Sequence, residues 1–415
     1  MKVTENKTQA KTEGLPKGWR WVKLGEVGEI NPRRPKNFNR THNAPTTFVP
    51  MVAVDEKTGT IAGPEVVPYS KVAKGYTHFE ENDVLFAKIT PSMQNGKHAI
   101  AKGLIDGVGF GTTEFHVLRP KNNEILSEWI YYFIRQPHFL KEATTYFTGA
   151  VGQQRVPDSF LAEYIIPLPP LPEQHRIAAK VQDLMHEVER ARSACEKQLE
   201  AVKALPAAYL RQVFESEETK KWERKGLGDV CDSVEKRNPL LSPDTSFRYV
   251  DISSIDNISK RIVEARTILG KDAPSRARQS IKANDVLIAT TRPNLNAVAL
   301  LPSKLDGEIC STGFCVLRPT ELVDPSFLFA FVQTHYFIET ISGQVRGMLY
   351  PAVTDNQVRS VSFPLPSLPE QKRIAAELKE KMAYVKKLRT SIDKQLEAIT
   401  ALPQSILRKA FKGEV

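Results

Sequence analysis

Two stretches of this chain carry apolar residues at alternating steps of four and three, the heptad signature of a helix that packs along one stripe. In the first stretch the stripe is Ile177, Val181, Leu184, Val188, Ala191, Cys195, Leu199 and Val202. In the second it is Ile374, Leu378, Val385, Leu388, Ile392, Leu396 and Ile399, interrupted by Lys381. The other faces are charged. The stretches are also copies of each other: PLPPLPEQHRIAAKVQDL from Pro167 is answered by PLPSLPEQKRIAAELKEK from Pro364. Glu173 then matches Glu370, Lys197 matches Lys394 and Pro206 matches Pro403, with no gap between them. Two matching stripes in one chain predict helices that pair as a coiled coil, antiparallel because a stiff connector and a globular domain lie between them. Pro206 and Pro403 are expected to break or kink them, leaving a short terminal helix after each.

The segments before the helices repeat more faintly. Trp19, Leu24 and Gly25 match Trp222, Leu227 and Gly228; Asn82-Asp83-Val84-Leu85 recurs as Asn284-Asp285-Val286-Leu287, and Val117-Leu118-Arg119-Pro120 as Val316-Leu317-Arg318-Pro319. Order is kept while spacing drifts, so the chain reads as a tandem duplication. The boundaries predicted are a flexible tail over 1–14, globular half one over 15–166, helical region one over 167–218, globular half two over 219–363 and helical region two over 364–415. Short apolar runs bounded by Gly, Pro and Asn read as strands: DVLFAKI from Asp83, FHVLRP from Phe115 and DVLIATT from Asp285. Residues 127–136 and 324–341 read as helices, the latter with Asp324 as N-cap and Pro325 in the first turn. Each half is therefore expected to be an α+β domain with a twisted sheet. The proline-rich segments 165–172 and 363–369 read as stiff, extended connectors that fix the angle between domain and helix.

The chain has 415 residues, enough for two sound cores. Its formal charge of +10 and pI near 9.2 favour a polyanionic partner, nucleic acid first. The four cysteines, Cys195, Cys231, Cys310 and Cys315, form neither a CxxC pair nor a disulfide framework. That usage suits a reducing, cytoplasmic compartment and gives no metal-ligand spacing. Residues 1–14 lack the apolar core of a signal peptide, and no apolar run approaches membrane-spanning length.

Catalytic motifs are missing: GxxxxGK[ST], HExxH and GxSxG do not occur. The glycine run Gly107-Val108-Gly109-Phe110-Gly111 is expected to be a tight turn rather than a cofactor loop. Asn31-Pro32-Arg33-Arg34 and Asn238-Pro239-Leu240-Leu241 lack the second proline and the aromatic residue of an amino-methyltransferase motif.

What remains is donor-rich loop sequence at matching places. After the NDVL strand, the first half offers Lys88, Thr90, Ser92, Gln94, Asn95 and Lys97, and the second Thr290, Thr291, Arg292, Asn294 and Asn296. Near the end of each half comes a second loop, with Gln153, Gln154 and Arg155 in the first and Arg346 in the second. Arg, Lys, Asn and Gln match base edges; Ser, Thr and Lys suit phosphates. These residues are the candidate DNA contacts. Arg33, Arg34, Lys36 and Arg40 form a further basic cluster, read as phosphate-facing or merely solvated.

The two PLPxLPEQ openings, each followed by a heptad helix closing on KQLEA and ALP, resemble the conserved regions of specificity subunits of type I restriction-modification systems. AKITPSMQNGK and GTTEFHVLRP similarly resemble that family's target-recognition domains. The resemblance implies a subunit without catalysis of its own, in which each half reads one part of a split, asymmetric double-stranded DNA target and the helices set the spacer. It implies two methyltransferase subunits as partners and, for cleavage, two motor-nuclease restriction subunits, with no membrane association. The cofactor, S-adenosylmethionine, is expected in the methyltransferase and not in this chain. Roughly 30 helical residues at 1.5 Å each give a rod of about 45 Å, some 13 base pairs at 3.4 Å. Two competing readings are a coiled-coil scaffold whose globular ends bind protein, and a stand-alone methyltransferase or nuclease.

Overall fold

The computed structural model describes residues 14–150, 152–344 and 351–415. They fall into two compact units, residues up to Cys195 with Gln395–Val415, and Glu196–Lys394. Each unit thus holds one globular half, the opening segment of one long helix and the closing segment of the other.

Both globular halves use two four-stranded sheets with one strand order. In the first unit one sheet runs Gly28–Ile30, Phe115–Pro120, Val84–Ala87, His98–Ile100, and the other Glu65–Pro68, Pro45–Val49, Val108–Gly111, Thr77–Glu80. In the second unit the matching orders are Cys231–Asp232, Phe314–Pro319, Val286–Ala289, Val298–Leu300 and Arg266–Leu269, Ser246–Val250, Ile309–Ser311, Ala277–Ser280. Even the single parallel pair is shared, Pro45–Val49 with Val108–Gly111 and Ser246–Val250 with Ile309–Ser311. The α+β class and the duplication are as expected, but each half has two four-stranded sheets, besides two-stranded pairs, where one sheet was expected. Val84–Ala87 and Val286–Ala289 are buried at every residue and so read as unbroken apolar runs. Strands such as Thr77–Glu80 and Val108–Gly111, of the same length, are too polar or glycine-rich to show that pattern.

Most of the glycine run is one of those strands, Val108–Gly111, while Gly107 alone sits in the turn before it, at a φ of 70°. A Cβ on Gly109 would lie 2.3 Å from the Phe79 ring, and one on Gly111 would lie 2.9 Å from the Val49 carbonyl, so close packing explains both glycines. The helix expected over 324–341 is two, Pro325–Phe331 and His335–Ser342. Thr334 caps the second by accepting from the Phe337 amide. Asp324 does cap the first, accepting from the Ser326 and Phe327 amides. In the first half, Pro137 similarly opens a second helix, Pro137–Thr144, after Ser127–Ile134. Part of each proline-rich segment is a strand: Ile165–Leu168 pairs with Arg20–Lys23, and Ser362–Leu365 with Glu223–Gly226. Two-stranded edges tolerate proline because half the backbone N–H groups have no ladder partner.

The repeated tetrapeptides meet in space. Val84 lies opposite Leu118 and Val286 opposite Leu317. Just before these strands, Asp83 takes both Nε and Nη2 of Arg119 at 2.8 and 2.7 Å, and Asp285 takes those of Arg318 at 3.0 and 2.8 Å. Both aspartates are 1% exposed. Asn82 and Asn284 supply the left-handed turn, at φ of 69° and 71°.

The glutamine of PLPxLPEQ has a comparable duty. Gln174 is fully buried; its Oε1 accepts from the Leu126 amide at 2.9 Å, and its Nε2 donates to the Glu124 and Pro169 carbonyls. Gln371 repeats all three bonds, with the Asp324 amide and the Leu322 and Pro366 carbonyls. Each glutamine therefore fastens the first turn of a long helix to the loop ahead of its globular half's first main helix.

The long helices are Leu171–Phe214 and Leu368–Ala410. In the first unit, Ile177 and Val181 share a core with Leu407, Ala410 and Phe411, while Cys195 Sγ lies 3.8 Å from Gln395 Oε1. In the second, Leu210 and Phe214 share a core with Ile374, Ala375 and Leu378. One sequence rises as the other falls, so the segments pair antiparallel, as the stripes predicted. Lys381 does not interrupt the pairing, because its ammonium sits 5.1 Å above the Tyr209 ring. Ala191 is exposed, and the seam passes at its half-buried neighbour Arg192. Neither Pro206 nor Pro403 ends its helix. An interior proline costs about 3 kcal/mol, but the turns beyond place Leu210 and Phe214, or Leu407, Ala410 and Phe411, in the cores. Burial of that many apolar side chains, each about 1.5–3 kcal/mol, outweighs the loss.

Candidate nucleic-acid interface

In the first unit the two donor-rich loops lie side by side, and in the second the loop after the central strand lies beside residues 351–353. In the first, the Thr90 amide donates to the Gln154 carbonyl at 3.0 Å and the Val156 amide to the Lys88 carbonyl at 3.0 Å. In the second, the Arg292 amide donates to Pro351 at 2.8 Å and the Val353 amide to Thr290 at 2.9 Å. The loop after the buried central strand is thus stitched by main-chain bonds to a distant segment in both halves, to residues 154–156 in the first and to residues 351–353 in the second.

The first surface is amide-rich and largely neutral in its free groups. Gln94, Asn95 and Gln153 are exposed, and Lys88, Ser92 and Gln154 are partly so. Burial pulls the Lys88 ammonium below its ordinary lysine value, while Glu114 acts the other way. Arg155 is committed: it makes a bidentate pair with Glu114, both bonds 2.8 Å, and donates to the Gln153 carbonyl. That pair also holds the Glu114 carboxyl below its usual range. Lys97 donates to the Val54 carbonyl at 2.8 Å, and the Thr90 hydroxyl is buried with no partner among the described residues. Beneath the loops, His116 fixes the later loop through Val156 O at 2.8 Å and Asn31 at 3.0 Å, and burial lowers its pKa.

The second surface is different in kind. Thr290 is buried and donates to Gly313 O at 2.9 Å. Asn296 is buried too, its Nδ2 donating to Val332 O at 2.9 Å and its Oδ1 accepting from Lys260. Both side chains face inward. Arg292 and Asn294 are exposed, Thr291 is partly so, and Arg346 lies outside the described residues. Arg292 and Asn296 bracket a short 3-10 turn, Pro293–Leu295, in left-handed conformations with φ of 50° and 46°. Asparagine adopts that conformation readily; arginine does so at a cost of roughly 1–2 kcal/mol. Thr291 and Arg292 border an open cleft of about 590 Å³ together with Ser253, Asn257 and Arg276. Those last three escaped the sequence reading, since they sit in loops with no counterpart motif; the only available signal was the arginine pair of Ser275-Arg276-Ala277-Arg278.

Of the N-terminal basic cluster, Arg34 is tied to Tyr69 Oη and Ala73 O at 3.0 Å, and Arg40 to Thr46 Oγ1 and Asp106. Arg33 and Lys36 are exposed. Among the described residues no helix is long and apolar enough to cross a membrane.

The family model described as type I restriction modification DNA specificity domain matches residues 16–199 and again 219–398. The chain is 42% identical over 171 residues to the type I restriction enzyme EcoEI specificity subunit of Escherichia coli, a match covering 41% of this chain and 28% of that protein. The solved HsdS subunit from Thermoanaerobacter tengcongensis is similar at a TM-score of 0.70 and 25% identity, covering 98% of this chain and 100% of that one. A chain solved in work on complex assembly and conformational transition of the type I R-M system gives a TM-score of 0.74 at 25% identity, over 97% of this chain and 99% of that one. With the family's model matched once in each half, the chain belongs to the type I restriction modification DNA specificity domain family.

Proposed function

We propose that this chain is the non-catalytic DNA-recognition subunit of a cytoplasmic type I restriction-modification complex. Each globular half reads one part of a bipartite, asymmetric target in double-stranded DNA, and the paired helices set the spacer. The chain recruits two methyltransferase subunits, which hold the S-adenosylmethionine, and two motor-nuclease restriction subunits. One observation carries the reading: in both halves, a loop rich in base-matching and phosphate-matching donors follows a buried strand and is held by main-chain bonds to a segment far along the chain. A rigid support for a few exposed Gln, Asn and Arg side chains is what base readout requires. The unlike side chains on the two supports favour unlike half-sites.

Fluorescence anisotropy of the chain with its partner subunits on random-sequence duplex DNA tests it. Affinity should fall steeply between low and moderate salt, because every neutralised phosphate adds about 0.9 to the log–log slope. Absent or salt-insensitive binding would overturn the reading.

A further inference from the structure

The cleft in the second unit is more specific than a basic surface. Arg276 and Arg292 both border it and are both exposed, and neither side chain makes a hydrogen bond or ion pair among the described residues. The carboxylates on the neighbouring loop are already engaged. Asp251 accepts from Ser253 and pairs with Arg266 at 2.7 Å, and Asp256 accepts from the Ile258 and Ser259 amides. The floor is apolar, with Ile255 and Ala297 each 6% exposed and Leu295 at the rim. Met93, which occupies the place of Leu295 in the first half, is fully buried there, whereas Leu295 is 49% exposed. The second half thus carries an apolar side chain out to the rim where the first half tucks one into its core.

Resting on the reading above, we propose that this cleft reads guanine, with Arg276 and Arg292 as the specificity-determining residues of the second half-site. A guanidinium offers donors only, in a planar fork; guanine presents two acceptors, O6 and N7, side by side in the major groove. Adenine places a donor beside its N7, and cytosine presents a donor, so both oppose the fork. A phosphate needs charge but no apolar floor, whereas a base pair brings the pyrimidine's carbon edge alongside the purine's acceptors. The left-handed backbone of Arg292 aims one donor fork from a turn that Asn296 and Lys260 pin from below. The first half has no free arginine on its corresponding loops, since Arg155 is spent on Glu114. Its exposed Gln94, Asn95 and Gln153 carry both a donor and an acceptor, the pattern that adenine matches.

The test is methylome sequencing of a methylation-free host expressing the full chain with its methyltransferase partner, as wild type, Arg276→Ala, Arg292→Ala and Arg292→Gly. The glycine variant removes the side chain without opposing the left-handed backbone. The wild type should mark one bipartite motif with guanine in at least one half. The arginine variants should relax a guanine position in that half alone, by about ten- to hundredfold in discrimination, with the other half unchanged. A Gln94→Ala, Asn95→Ala double variant should alter only the other half, which assigns each half-site to its domain. A motif without guanine in the half assigned to the second domain would overturn the inference, as would variants that lower methylation evenly across an unchanged motif, the mark of phosphate contacts. A wild-type complex that marks no bipartite motif would instead overturn the proposed function itself.

Discussion

The two globular halves share a skeleton and differ in the groups they leave free. Both have the same two four-stranded sheets in the same strand order, the same Asp–Arg pair at the start of the central strand and the same buried glutamine under the long helix. The first half neutralises its loop arginine with Glu114 and shows amides. The second leaves Arg276 and Arg292 without a side-chain partner among the described residues, beside an open cleft. Duplication has kept what positions the loops and changed what they present.

The largest effect should come from the Asp–Arg pairs, and it sharpens the comparison. Removing one partner of a buried pair strands the other charge, at about 3–5 kcal/mol. Arg318 has Asp285 as its only carboxylate partner among the described residues, while Arg119 also lies 3.1 Å from Glu80. Asp285→Ala should therefore cost about 3 kcal/mol or more and Asp83→Ala distinctly less. Local amide exchange on the strands Val286–Ala289 and Val84–Ala87 reads each half separately; equal losses would deny the difference.

Acid should separate the halves next. In the first half, burial lowers the pKa of His98 to about 3 and that of His78 to about 4, with neighbouring Arg135 and Arg119 acting in the same direction. The His78 ring has no hydrogen-bond partner among the described residues. Unfolded, each of the two would titrate near 6.5 and so bind protons first. The contribution of these neutral rings is complete above about pH 6.5 and is lost as pH falls toward the folded values, at up to about 1.4 kcal/mol per pH unit for each histidine. The second half's only histidine, His335, is 65% exposed at its side chain. Amide exchange at pH 7 and pH 5, corrected for intrinsic rates, should show the first half loosening more than the second. The opposite order would break the account.

Gln174→Ala and Gln371→Ala should behave alike. Each removes three bonds in a buried site and leaves main-chain groups unmatched, at about 1–3 kcal/mol. Comparable drops in melting temperature are expected, and an effect in only one half would show that the motif serves different ends. The smallest effect is Lys381→Leu, which gives the second helix the residue its counterpart has at Leu184. It should change stability by no more than about 1 kcal/mol, since it exchanges a cation–π contact for apolar packing.

The parts of this architecture visible in the sequence are those made from local, repeated rules. The heptads gave the pairing and the domain between them its antiparallel sense, and NDVL and VLRP marked two strands that turn out to be ladder neighbours tied by the same ion pair in each half. The second sheet was invisible, since strands such as Thr77–Glu80 and Val108–Gly111 owe their existence to partners far along the chain. Pro206 and Pro403 misled for the same reason: the cores that hold the helix ends are assembled from distant residues. At the loops, residue type identified exposed Gln94, Asn95, Gln153, Arg292 and Asn294, but could not separate them from Thr290 and Asn296, which face inward. Nor could it find Arg276, whose place beside Arg292 is purely tertiary.

The central claim is that one scaffold, used twice, reads two unlike sequences. Methylome sequencing of the wild-type chain with its methyltransferase partner measures this most directly. The account predicts a single asymmetric motif of two different half-sites at a fixed gap. A palindromic motif with identical half-sites, or no modified motif, would contradict it.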